Sequence, residues 1–207
     1  MLIFISTSAF SYNLITLPSH LSSAHAYIDA QMYKNAVQSL KKFDPKSDAQ
    51  VAELNYALGK IYLGIDQPQK AISYFENSLS DAPNHYQSIL GLAQAQIKLG
   101  EIKEAKRYLA KASKLTDASL EVAYHEAVIE ELTGNSNLAD QRLLDLIYAN
   151  PNLDLPATYY ARLLLQRGQV NEAINFLSKA LQAKPESAHI KSLLADTLFL
   201  AKQKIMY

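Results

Sequence analysis

Residues 58–83 read LGKIYLGIDQPQKAISYFENSLSDAP. A Leu-Gly pair (Leu58, Gly59) is followed by Tyr62, then by Ala71, Phe75 and Pro83, and this spacing recurs along the chain. Counting from Gly59, small residues stand at Ala93, Ala127, Ala161 and Ala195, each 34 residues after the last. Ala71 is matched by Ala105, Ala139 and Ala173, and Phe75 by Leu109, Leu143 and Leu177. Pro83 is matched by Asp117, Pro151 and Pro185, and Gly100, Gly134 and Gly168 share the same step. Agreement at several independent positions marks a tandem array.

Each period reads as two helices. Apolar residues recur three and four apart in each half, as in Leu58, Ile61 and Tyr62 and then Ala71, Ile72, Phe75 and Leu79. The halves are separated by GIDQPQ, GEIKE, GNSNL and GQVNE, and the units close on Pro-Asn, Thr-Asp, Pro-Asn and Pro-Glu-Ser. Proline stops the second helix, and the polar residues after it suit the N-terminus of the next. Small residues at the Gly59 and Ala71 offsets let paired helices approach closely. The large residue four positions after each Ala then fills the gap to the neighbouring unit. A single pair cannot bury both its faces, whereas stacked pairs can.

The composition fits a packed array. Of 207 residues, 49% are hydrophobic, enough for a substantial core. Lys+Arg and Asp+Glu balance at 20 each, so there is no basic excess for nucleic acid. The absence of cysteine excludes disulfides, thiolate zinc sites and cysteine nucleophiles. No Asp, Glu, Lys or Arg precedes Asp29, and Ala24-His25-Ala26 gives an A-x-A pattern. Residues 1–26 therefore resemble a secretory signal peptide, although no basic residue precedes the apolar part. The expectation is an exported, periplasmic protein. The alternative is an N-terminal helix that belongs to the fold of a cytoplasmic one. Pro18 and the polar residues around it argue against a membrane span.

The spacing resembles the tetratricopeptide repeat, a 34-residue helix pair. Units fall at about 17–51, 52–85, 86–119, 120–153 and 154–187, followed by a terminal helix over 188–207, with the array proper spanning 27–207. The first unit is the weakest, with Ala24, Tyr27 and Ala36 in place but Pro45 early. The resemblance implies an all-α, right-handed superhelical solenoid of stacked antiparallel helix pairs. First helices would line a concave groove that holds an extended peptide or a partner helix. Carried onto this sequence, the groove-facing offsets are Tyr56 and Lys60; Leu90, Gln94 and Lys98; Tyr124, His125 and Val128; Thr158, Tyr159 and Arg162; Ser192 and Asp196. Tyrosine suits binding because it offers a rigid face and a hydroxyl at low entropic cost. Lys60 and Arg162 would pair with acidic groups on a ligand. The basic-and-Asn clamp by which some family members grip a terminal carboxylate is not reproduced. Tyr62, Tyr74, Tyr108, Tyr148 and Tyr160 fall at structural or surface offsets.

No catalytic constellation has convincing spacing. His125-Glu126 lacks the second His that a zincin helix needs, since Ile129 stands there. No phosphate-cradling loop and no G-x-S-x-G elbow is present. The sequence thus predicts a non-enzymatic scaffold with a protein or peptide partner, no cofactor, no metal, no nucleic acid and no small-molecule substrate. If exported, it resembles envelope proteins that use such repeats in assembling secretion, pilus, polysaccharide or outer-membrane machinery. The last helix is apolar around too much of its circumference (Ile190, Leu193, Leu194, Leu198, Phe199, Leu200, Ile205, Met206) for a solvated cap. That leaves a second reading, a self-associating spacer that dimerises through this helix, or one segment of a longer array.

Overall fold

In the computed structural model, the described residues are 18–116 and 119–205, and they form eleven α-helices without a strand. The landmark Asp117, the opening residues 1–17, the Ile205 side chain and Met206 lie outside what is described. Two compact units divide the chain, residues 1–95 and 96–207.

The first unit holds α1 (Ser19–Asp29), α2 (Tyr33–Leu40), α3 (Asp48–Gly64), α4 (Pro68–Asp81) and most of α5 (Tyr86–Leu99), which crosses the boundary. The second holds α6 (Ile102–Ala112), α7 (Leu120–Leu132), α8 (Ser136–Ala149), α9 (Asp154–Gln166), α10 (Val170–Ala183) and α11 (Ala188–Ile205). Helix pairs α1–α2 and α3–α4 pack in the first unit, and α7–α8 and α9–α10 in the second. Among the described residues, no helix is long and apolar enough to cross a membrane.

The turns inside the pairs share one backbone geometry. A residue with positive φ follows each first helix: Gln31 (57°), Asp66 (59°), Gly100 (77°), Gly134 (86°) and Gly168 (77°). The next N–H then reaches back five residues, as Met32 to Tyr27, Gln67 to Tyr62, Glu101 to Gln96, Asn135 to Glu130 and Gln169 to Leu164. This satisfies carbonyls that would otherwise be orphaned at the helix end. The stretch GIDQPQ shows that the turn does not require glycine at its left-handed position. The left-handed residue there is Asp66, while Gly64 closes α3, where a Cβ would overlap the Tyr33 hydroxyl. At the ends of the second helices, Ala82, Asn150 and Lys184 precede a proline and leave helical geometry (φ −138°, −140° and −136°).

The small-and-large register is the core. Ala71, Ala105, Ala139 and Ala173 are fully buried, as are Phe75, Leu143 and Leu177. Phe75 is the one aromatic in its series, and it lies against a glycine on both sides. A Cβ on Gly59 of α3 or on Gly91 of α5 would sit 2.5 Å from a ring carbon. In the first unit Leu21, Ala24 and Ile28 of α1 join Ala36, Leu40, Ala57 and Ile61 in one cluster. In the second, Ala127, Leu143 and Leu163 form one cluster, and Ala161, Leu177 and Ile190 another. Each joins adjacent repeats, as stacked pairs require.

Candidate binding faces of the first helices

In the first unit, α3 carries Glu53, Tyr56 and Lys60 at spacings of three and four, which places them on one helix face. Tyr56 is half-buried among rings: His25 of α1 stacks on it at 5.9 Å, His85 meets it edge-on at 5.5 Å, and Phe75 lies 6.1 Å away. The two imidazoles also clasp Glu53. His85 Nε2 bonds Oε2 at 3.0 Å. His25 Nε2 comes within 2.9 Å of Oε1, a close ion-pair approach rather than an aligned hydrogen bond. Burial, the largest influence, pushes the Glu53 carboxyl up, but the contacts and charges of His25 and His85 outweigh it and hold it at about 2. Burial holds the Lys60 ammonium below its ordinary range, opposed by the charge of Asp29 on α1.

Behind His85 runs a buried polar chain. Its Nδ1 lies 2.8 Å from Ser88 Oγ, which lies 2.7 Å from Ser78 Oγ, and both serines are fully buried. The order Ser88–His85–Glu53 carries the residue types of a hydrolytic triad. However, the serine is inaccessible to any substrate, so the chain reads as a structural tie between α3, α4 and the start of α5. The carboxylate and both imidazoles are engaged with one another, and no group of His, Asp or Glu among the described residues is arranged to hold a metal ion.

Of the other candidates on α5, Gln94 is half-buried, Lys98 exposed and Leu90 buried, so Leu90 presents little surface to a ligand.

In the second unit, Tyr124 of α7 and Tyr159 of α9 meet edge to face at 5.7 Å. Burial pushes the Tyr124 hydroxyl up to about 12, with Tyr159 adding to the shift and Arg162 opposing it. Burial and Glu131 also raise Tyr159, against Arg167. His125 packs its ring against Tyr124 at 5.0 Å and is only 8% exposed. Thr158 is equally buried and donates its hydroxyl to the Asp154 carbonyl at 2.9 Å. Val128 is half-buried; Arg162, and on α11 Ser192 and Asp196, are exposed. The structure thus brings Tyr124, His125 and Tyr159 together as a ring cluster, and leaves Arg162, Ser192 and Asp196 on the surface.

Tyrosines read as structure or surface sit accordingly: Tyr62 stacks on Tyr74 at 5.1 Å, Tyr160 packs edge-on to Phe176 at 5.0 Å, and Tyr148 is 76% exposed. Two ties escaped the sequence reading. Arg167, just past α9, bonds Asp140 of α8 at 2.6 Å and Glu131 of α7 at 2.7 Å. Ser187 caps α11 by accepting from the Ile190 N–H and donates to Asp154, which Lys184 also engages at 2.8 Å. Glu53 was findable, standing three residues before Tyr56 on the same face. Its two histidines stand 28 residues before it, in the preceding repeat, and 32 residues after it, at the end of its own, and leave no local pattern.

The tetratricopeptide repeat profile matches residues 63–128 and 141–197. A thermophilic TPR protein of Thermus thermophilus, TTC0263, superposes with a TM-score of 0.71 at 18% identity, over 87% of this chain and 97% of that one. PilF of Pseudomonas aeruginosa gives a TM-score of 0.58 at 15% identity, covering 89% of each chain. At these identities the likeness is one of fold. No curated protein matches the sequence. With the profile covering more than half its length and the repeat register visible in its core, the chain belongs to the tetratricopeptide repeat family.

Proposed function

We propose that the protein is a non-catalytic scaffold that holds a peptide or helix of a partner protein on the first-helix faces of its repeats. The family supports the coarse part of this reading, a role in protein–protein interaction. The observation that carries the finer part is the Tyr124–Tyr159 pair, two tyrosines on successive first helices that brace each other at 5.7 Å. The exposed Arg162 follows Tyr159 by three residues, about one helical turn along α9. A braced aromatic loses little side-chain freedom when a ligand covers it, and the guanidinium beside it suits an acidic or carbonyl group.

Replacing Tyr124 and Tyr159 by Ala tests this. Capture of the native partner should be lost while helicity is kept, and unchanged capture would refute the assignment. An envelope role rests on the uncharged opening of the sequence and on Ala24-His25-Ala26. The mass of the mature protein from its native cells decides that point, since loss of residues 1–26 supports export and an intact N-terminus removes its basis.

A further inference from the structure

A basic side chain drawn out of water needs an anion or a hydrogen bond to offset its lost hydration. Among the described residues, the half-buried basic side chains other than Lys60 have one. His25 and His85 hold Glu53, Arg142 bonds Glu126 at 3.1 Å, and Lys184 bonds Asp154 at 2.8 Å. Lys60 stands apart. It is half-buried on α3, and no hydrogen bond or ion pair reaches its amine from a described residue. Asp29 of α1 acts on it through space, without contact.

The setting decides what this amine can do. The other lysines whose side chains are described, Lys184 aside, are exposed. Water stabilises their ammonium form, so near neutral pH they offer almost no free amine. At Lys60 burial works the other way and favours the neutral amine, which is the nucleophilic form. Half-burial also selects the reagent, since a small donor can reach the Nζ where a bulky carrier is kept off.

We propose that Lys60 is a modification site, an amine that takes an acyl group from a small acyl phosphate. The Nζ lone pair attacks the acyl carbonyl carbon and the N–C bond forms. The C–O bond to phosphate breaks, phosphate leaves with that electron pair, and the surplus amine proton passes to solvent. The product is a neutral, longer amide four residues after Tyr56, on the same helix face. Its effect on a partner rests on the proposed binding role of the first-helix faces, whereas the reaction itself needs no partner.

Acetyl phosphate in limiting amount, added to the folded full chain and followed by peptide mass mapping, tests this. Lys60 should gain label several-fold faster than Lys103 and Lys106, which are exposed on α6, and its rate should level off at a lower pH than theirs. Asp29→Asn removes a charge that favours the ammonium and should speed labelling at Lys60 alone. In urea the preference should vanish, because it belongs to the fold. Label spread evenly over the exposed lysines, or Lys60 labelled no faster than Lys106, would overturn the inference. So would a preference for Lys60 that persists in urea.

Discussion

Gly59→Ala should destabilise the protein in the native background and stabilise it once Phe75 is replaced by Leu. Alanine is the better helix former by about 1 kcal/mol, so in open space the substitution would help. At Gly59 the added Cβ would lie 2.5, 2.6 and 2.9 Å from three carbons of the Phe75 ring. The ring cannot swing away, because it is fully buried and Gly91 receives its other side just as closely. Overpacking of this kind costs about 1–3 kcal/mol, which exceeds the propensity gain except at its lower limit. In other repeats Ala at the Gly59 offset coexists with Leu at the Phe75 offset, so Phe75→Leu should make room. The double-mutant cycle should then show a coupling of about 2 kcal/mol, read from urea unfolding followed by far-ultraviolet dichroism. Additive effects, or a stabilising Gly59→Ala in the Phe75 background, would rule out the wedge.

Three further outcomes follow from the ties. Glu53 is held at about 2 against an ordinary 4.5. Its contribution is present above the ordinary value and lost as pH falls toward 2, up to about 3 kcal/mol; Glu53→Gln should flatten this part of the stability–pH curve. Arg167→Ala should cost about 1 kcal/mol and be felt less at high salt, and Arg167→Lys should not restore the bridge to both Asp140 and Glu131. A chain beginning at Tyr27 lacks the fully buried Leu21 and Ala24 and should lose at least about 2 kcal/mol, measured as a lower urea midpoint.

The fold was legible because its determinants are periodic. Gly59, Ala71 and Phe75 recur at 34-residue steps, and the sterics of helix crossing explain why those sizes are needed. The turns were legible only where glycine marks them. Gln31 and Asp66 take the same left-handed geometry, but their side chains do not announce it. The Tyr56, Tyr124 and Tyr159 faces followed from the register. The burial of Leu90, Thr158 and His125 did not, because it depends on how closely a neighbouring helix packs at that point. Contacts such as His25–Glu53–His85 and Arg167–Asp140 join residues about one repeat apart, and they arise only when the pairs stack.

The most direct test of the binding account is site-specific photo-crosslinking in the protein's native cells. A photoreactive amino acid at Tyr124 or Tyr159 should give the same single protein adduct. Placed at the exposed Lys106 or Lys111 of α6, a second helix, it should give none. Adducts from α6 alone, or none from Tyr124 and Tyr159, would contradict the assignment of partner binding to the first-helix faces.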